Sequence, residues 1–135
     1  MDALSITANI IALLQLTGSV LDYLKDFKDA SKDRFRLMGE LSGLKCLLSL
    51  LETRVNESKA GDPWLGHTVR MLDDLLDQFK SDLARLASKL GGGGAVKAFV
   101  KKMTWSFEKT EIKDLLSKIE RVKTLVLLAL ANDHL

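Results

Sequence analysis

From Ala3 to Leu21 the chain runs Ala-Leu-Ser-Ile-Thr-Ala-Asn-Ile-Ile-Ala-Leu-Leu-Gln-Leu-Thr-Gly-Ser-Val-Leu without one charged side chain, between Asp2 and Asp22. On a helical wheel Ser5, Asn9, Ala12, Gln15, Ser19, Asp22 and Asp26 fall along one side, while Leu4, Ile6, Ile10, Ile11, Leu13, Leu14, Leu21 and Leu24 cover most of the rest. A helix that is apolar over most of its girth belongs at the centre of a bundle or in lipid. The pattern predicts a first helix from Leu4 to Ala30. Its uncharged part would be roughly 28 Å long at about 1.5 Å per residue, close to the thickness of a bilayer's hydrocarbon core.

Later segments are more conventional. Residues 22–36 mix acids and bases densely, and a turn near Ala30-Ser-Lys-Asp fits there, with Ser31 or Asp33 as N-cap. Leu37, Leu41, Leu44, Leu48 and Leu51 then recur at steps of three and four, predicting a second helix from Lys32 to Asn56. Gly61-Asp62-Pro63 offers a left-handed residue, an N-cap and a proline at the first helical position. A third helix from Pro63 to Leu90 follows, with Leu65, Val69, Leu72, Leu75, Leu76, Phe79, Leu83, Leu86 and Leu90 as its apolar positions. Gly91 to Gly94 must end it. A short amphipathic helix is expected between Ala95 and Phe107, and a last long helix from Thr110, as N-cap, to Asn132. Ile112, Leu115, Leu116, Ile119, Val122, Leu125, Val126 and Ala129 form its stripe. No strand alternation and no internal repeat is visible. The expected fold is all-α: an antiparallel four-helix bundle with an extra short helix before the last long one.

Composition agrees. The 135 residues suit a single domain spanning 1–135, and 47% apolar residues exclude a disordered chain. One proline and 6% aromatics fit a Leu-rich bundle. The single Cys46 excludes an internal disulfide and a cysteine zinc site; its place in Leu-Lys-Cys-Leu-Leu reads as a small core residue. The net charge of +2 decides little, but residues 95–135 hold eight Lys/Arg against five Asp/Glu. That mildly basic end, with Lys97, Lys101 and Lys102, could meet anionic lipid headgroups, although a solvated helix face accounts for it too. Asp2 after Met1, with Lys25 as the first cation, is not the start of a signal peptide.

The residues do not assemble a catalytic motif. His67 and His134 lack spaced thiol or acidic partners, and surface or helix-end roles fit them better than a metal. Asp73, Asp74 and Asp77 sit among Lys and Arg on what should be a solvated face. The tetraglycine follows no strand and lacks the Lys-Ser/Thr of a phosphate loop, so it reads as a hinge. Lys97, Lys101, Lys102 and Lys109 lie near Phe99, Trp105 and Phe107, but the overall charge balance is too even for a nucleic-acid surface. Those aromatics read as plugs for one end of the bundle. No enzyme, metal or cofactor is expected. The unexplained feature is the first helix: core in a soluble state, and able to enter membrane in a second one. Ala8, Ala12 and Gly18 would then let such helices pack closely in lipid.

Two stretches resemble a known family. The opening Met-Asp-Ala-Leu-Ser-Ile-Thr-Ala-Asn-Ile-Ile-Ala-Leu-Leu-Gln-Leu resembles the Met-Asp-Pro-Leu-Ser starts of many fungal NOD-like receptor and ankyrin-repeat proteins. The stretch from Trp105-Ser-Phe through Leu-Leu-Ser-Lys-Ile-Glu-Arg to Leu-Ala-Leu-Ala-Asn-Asp-His134 resembles the close of the fungal HeLo-like domain, Trp-Pro-Phe…Leu-x-x-Ile-Glu-Arg…Leu-x-Leu-Ala-Leu-x-x-Asp-His. Ser106 and Ala3 stand where the family usually has proline, which bears on where those helices begin.

The resemblance covers essentially the whole chain. It implies a bundle related to the killer domain of the mixed-lineage kinase domain-like necroptosis protein, acting in fungal heterokaryon incompatibility or innate immune signalling. A cytoplasmic domain would oligomerise on an upstream receptor or amyloid-type signal, relocate to the plasma membrane and permeabilise it. Carried over, residues 2–21 are the membrane-active segment, with Leu4, Ile6, Ile10, Ile11, Leu13, Leu14, Leu16 and Leu21 as the inserting side chains. The partners so implied are membrane lipids, anionic ones first, and further copies of the chain, with no nucleic acid. With no downstream module in the sequence, an excised domain is the expectation. A non-lytic regulatory interaction module at the N-terminus of a larger receptor is the alternative.

Overall fold

The computed structural model describes residues 3–25, 32–91 and 109–132, with side chains over 5–25, 32–89 and 110–132. Among the described residues there are four helices and no strand: α1 (Ala3–Lys25), α2 (Lys32–Glu57), α3 (Pro63–Gly91) and α4 (Lys109–Ala131). The expected short helix between Ala95 and Phe107 lies outside those residues. So do Ser31, the part of the first helix expected beyond Lys25, and the aromatics Phe99, Trp105 and Phe107. Asp33 is already inside α2, which starts at Lys32, and so is not its cap. Likewise α4 begins at Lys109, which places Thr110 within the helix.

The leucine spacing of α2 does what periodicity requires. Leu37, Leu41, Leu44, Leu48 and Leu51 are all fully buried, and the row ends at the buried Val55. In α3 the buried row is Val69, Leu72, Leu76, Phe79, Leu83 and Leu86, with Leu65 and Leu75 half-buried beside it. In α4 it is Ile112, Leu115, Leu116, Ile119, Val122, Val126 and Ala129, with Leu125 at its edge. These rows and the inner face of α1 form one continuous apolar core.

The arrangement of neighbours is specific. α1 packs on α3 and α2, α2 also packs on α4, and α3 packs on α4. Arg34 near the start of α2 donates from Nη1 to the Leu24 carbonyl at 3.1 Å, near the end of α1. Further along, a side chain on Gly18 would meet the Lys45 Nζ at 3.8 Å. Between α3 and α4, Trp64 reaches Ala129, Asp82 pairs with Lys118, and Lys89 pairs with Glu111.

The turn between α2 and α3 is built as its residues suggest. Gly61 takes φ +84°, the left-handed region that a side chain would disfavour. The Asp62 carboxylate accepts the Trp64 amide at 2.9 Å and so caps α3. Arg54 donates to Ser58 Oγ at 2.6 Å and to Asp62 Oδ2 at 3.2 Å, and its guanidinium stacks 4.2 Å from the Trp64 ring centroid. Trp64 Nε1 then donates to the Ala129 carbonyl at 2.8 Å. One tryptophan thus ties the turn to the end of α4.

Candidate membrane-active helix

α1 is built on two faces. Ile6, Ile10, Leu13, Val20 and Leu24 are fully buried, and Leu21 nearly so. Leu14 and Leu16 are half-buried against the core. The opposite side presents Ser5, Ala8, Ile11, Gln15 and Ser19 to solvent, with Ile11 41% exposed. No charge appears on this outer face before Asp22. Of the proposed inserting residues, four therefore sit in the core (Ile6, Ile10, Leu13 and Leu21), two straddle its edge and Ile11 points outward. The side chain of Leu4 lies outside the described residues.

Ser5–Lys25, 21 residues, is long and apolar enough to cross a membrane, and only 33% of its most apolar window is buried. A helix at the centre of a bundle would meet the same length and composition test. α1 differs from the other described helices in carrying no charge on its outer face before Asp22. α1 packs on α3 and α2, as each of the four described helices packs on two others, and its inner face belongs to the shared core. The three close-packing candidates also separate. Ala8 is exposed, whereas Ala12 and Gly18 are half-buried, with Gly18 beside Lys45.

Polar groups on the α3 side of α1 were not all foreseen. Asn9 and Asp73, 6% and 8% exposed, are buried together. Asn9 donates from Nδ2 to Asp73 Oδ1 at 3.0 Å, and Ser5 donates from Oγ to the two Asp73 oxygens at 3.3 and 3.2 Å. Lys80 Nζ in turn donates to Asn9 Oδ1 at 2.9 Å and pairs with Asp77 at 3.3 Å. Asp73 is therefore not on a solvated face, as its acidic neighbours suggested; Asp74 and Asp77 are. The signal was present in the spacing: Asn9 falls three after Ile6 and four before Leu13, on the buried row itself. Thr17, also fully buried, satisfies its hydroxyl within its own helix, on the Leu13 carbonyl at 2.6 Å.

Other sequence candidates take quieter places. Cys46 is exposed, correcting the expectation of a core thiol, because the buried row of α2 passes through Leu44 and Leu48 on the other side. His67 is exposed in the second turn of α3, and His134 lies outside the described residues. Lys97, Lys101 and Lys102, the candidate headgroup contacts, lie outside them as well. Among the described residues no group of three His, Cys, Asp or Glu could hold a metal ion. A cleft of about 310 Å³ opens between α3 and α4, but its rim charges already face one another, Lys89 with Glu111 at 2.9 Å and Lys118 with Asp82 at 3.2 Å.

No family model matches the chain, and neither a curated protein nor a solved structure matches it. The resemblance of its two ends to the HeLo-like domain therefore stands on those residues alone.

Proposed function

We propose that this chain is a cell-death execution domain of the HeLo-like kind, spanning residues 1–135, that oligomerises on activation and permeabilises the plasma membrane through its N-terminal helix. The observation that carries the reading is the uncharged outer face of α1, on a helix long enough to span lipid. In the resting state the pairings of α1 with α2 and of α3 with α4 support an antiparallel bundle, completed by a short helix ahead of α4. Clustering by an upstream receptor or an amyloid-type trigger would raise the local concentration of α1 and offset the loss of its core contacts. The helix would then turn Ile6, Ile10 and Leu13 from the bundle to the hydrocarbon. The basic side chains Lys97, Lys101 and Lys102 would meet anionic headgroups. The domain would be cytoplasmic at rest and membrane-bound when active.

A second reading, a non-lytic interaction module, is favoured by Leu127 and Leu128 on α4 and Leu50 on α2, each about half exposed. Dye release from liposomes containing anionic lipid separates the two. The clustered chain is expected to release dye, and Ile11→Lys to abolish release while leaving the fold intact, because Ile11 faces water in the bundle. A cation at the centre of a lipid-facing helix costs about 2.5–3.5 kcal/mol. Absence of release from the clustered chain favours the interaction module.

A further inference from the structure

The bonds from Ser5 and Asn9 to α3 concentrate in the first two turns of α1, and they converge on one carboxylate and one ammonium. Asn9 is the residue that matters. It is buried, its amide nitrogen is held by Asp73 and its amide oxygen by Lys80, so both ends of the side chain depend on α3. Thr17 carries its partner with it wherever α1 goes, because that partner is the carbonyl of Leu13. Withdrawing α1 from the bundle therefore strands Asn9 and Asp73, and does not strand Thr17.

We propose that Asp73 and Lys80 on α3 form an autoinhibitory latch that grips Asn9 and holds α1 in the bundle. The inference rests on the membrane-active reading of α1 and supplies its regulation. The geometry separates restraint from attack by helix. The membrane-active side chains belong to α1, whereas the gripping groups belong to α3. A buried polar group left without its partner is strongly destabilising, whereas replacing both partners by apolar groups is nearly neutral. The latch therefore opens when one side is lost and stays closed when both are replaced.

Hydrogen exchange read helix by helix on the full chain tests this, with dye release from phosphatidylserine-containing liposomes measured on the same samples. Asp73→Ala, which leaves the α1 sequence untouched, should lower amide protection in α1 by about tenfold to a hundredfold, with α2 and α4 unchanged, and should release dye at lower protein concentration. The double variant Asn9→Leu/Asp73→Leu should restore α1 protection to near the parent level. Selective loss of α1 protection without dye release would leave the latch standing and remove the permeabilising role. Unchanged α1 protection in Asp73→Ala, or an equal loss across all four helices, would overturn the latch.

Discussion

α1 and α4 are the same length, 23 residues, and their inner faces are interchangeable in kind: Ile6, Ile10, Leu13, Val20 and Leu24 in one, Ile112, Ile119, Val122, Val126 and Ala129 in the other. Their outer faces are not. α4 turns Glu111, Lys113, Asp114, Lys118, Glu120 and Arg121 toward water, whereas α1 turns Ser5, Ala8, Ile11, Gln15 and Ser19. Exposed apolar side chains do not distinguish them, since α4 ends with Leu127 and Leu128 exposed. Charge does. Burying the outer face of α4 in lipid would desolvate a row of ions, while that of α1 would leave behind hydroxyls and one amide. Core burial holds each helix in the bundle, and the outer face decides where else the helix can go.

The largest expected effect tests the first half of that contrast. Leu13→Ala removes a fully buried side chain and should destabilise the domain by about 2–5 kcal/mol, read from the denaturant midpoint. Ile11→Ala, two residues away and 41% exposed, should change stability by less than about 0.5 kcal/mol while weakening dye release. Equal losses at the two positions would mean that α1 has no free outer face.

Much of the contrast is legible in the sequence. The leucine row of α2, the Gly61-Asp62-Pro63 turn and the stripe of α4 follow from local rules of spacing, capping and backbone freedom, which involve residues a few positions apart. The polar contacts with long sequence separation do not. Asn9 meets Asp73 and Lys80 across more than sixty residues, and its spacing from Ile6 and Leu13 shows only that it lies on the buried row, not what it meets there. Asp73 reads as one more acid beside Asp74 and Asp77 until its neighbour across the helix interface is known. Cys46 fails for a related reason: an apolar run tells that a core is near, but not which of three consecutive residues turns away from it. Trp64 carries no local signal, because its value lies in joining three elements at once.

That tryptophan gives the next prediction, which sharpens the comparison by asking how firmly each helix is fastened. Arg54 and Asp62 hold the Trp64 end of α3, and Nε1 fixes the end of α4. Trp64→Phe keeps the ring but leaves the Ala129 carbonyl without its donor, and should cost about 1 kcal/mol. The lost protection should appear in the last turn of α4 by hydrogen exchange and leave the first turns of α1 unchanged. The same junction carries a pH signature. Burial pulls the Asp62 carboxyl upward, but the bonds from Arg54 and the Trp64 amide, the guanidinium charge and Ser58 together hold it below its ordinary value of 3.8. A depressed carboxyl contributes stability above its unfolded value and loses it as the pH falls through the folded one. Acid unfolding below about pH 3.8 should therefore be less steep in Asp62→Asn than in the parent.

The smallest effect lies at the outer face of α4 and concerns alkali. Lys118 donates to Asp82, with Asp114 beside it, and these bonds raise its pKa above the ordinary 10.5 against a small opposing effect of burial. A raised lysine stabilises the fold fully below its unfolded value, and the contribution disappears as the pH climbs through the folded one, so the window opens above about 10.5. The side chain is 44% exposed, and pairs so placed contribute at most about 1 kcal/mol. Lys118→Met should therefore shift stability slightly at neutral pH and flatten its decline above pH 10.5. Lys118 pairs with Asp82 on α3 and with Asp114 on its own helix, so Lys118→Met should leave α1 protection unchanged while the seam between α3 and α4 loosens. A Lys118→Met profile that instead lost α1 protection first would show that the charges of α4 reach across the core to hold it, and the two helices would no longer be fastened independently.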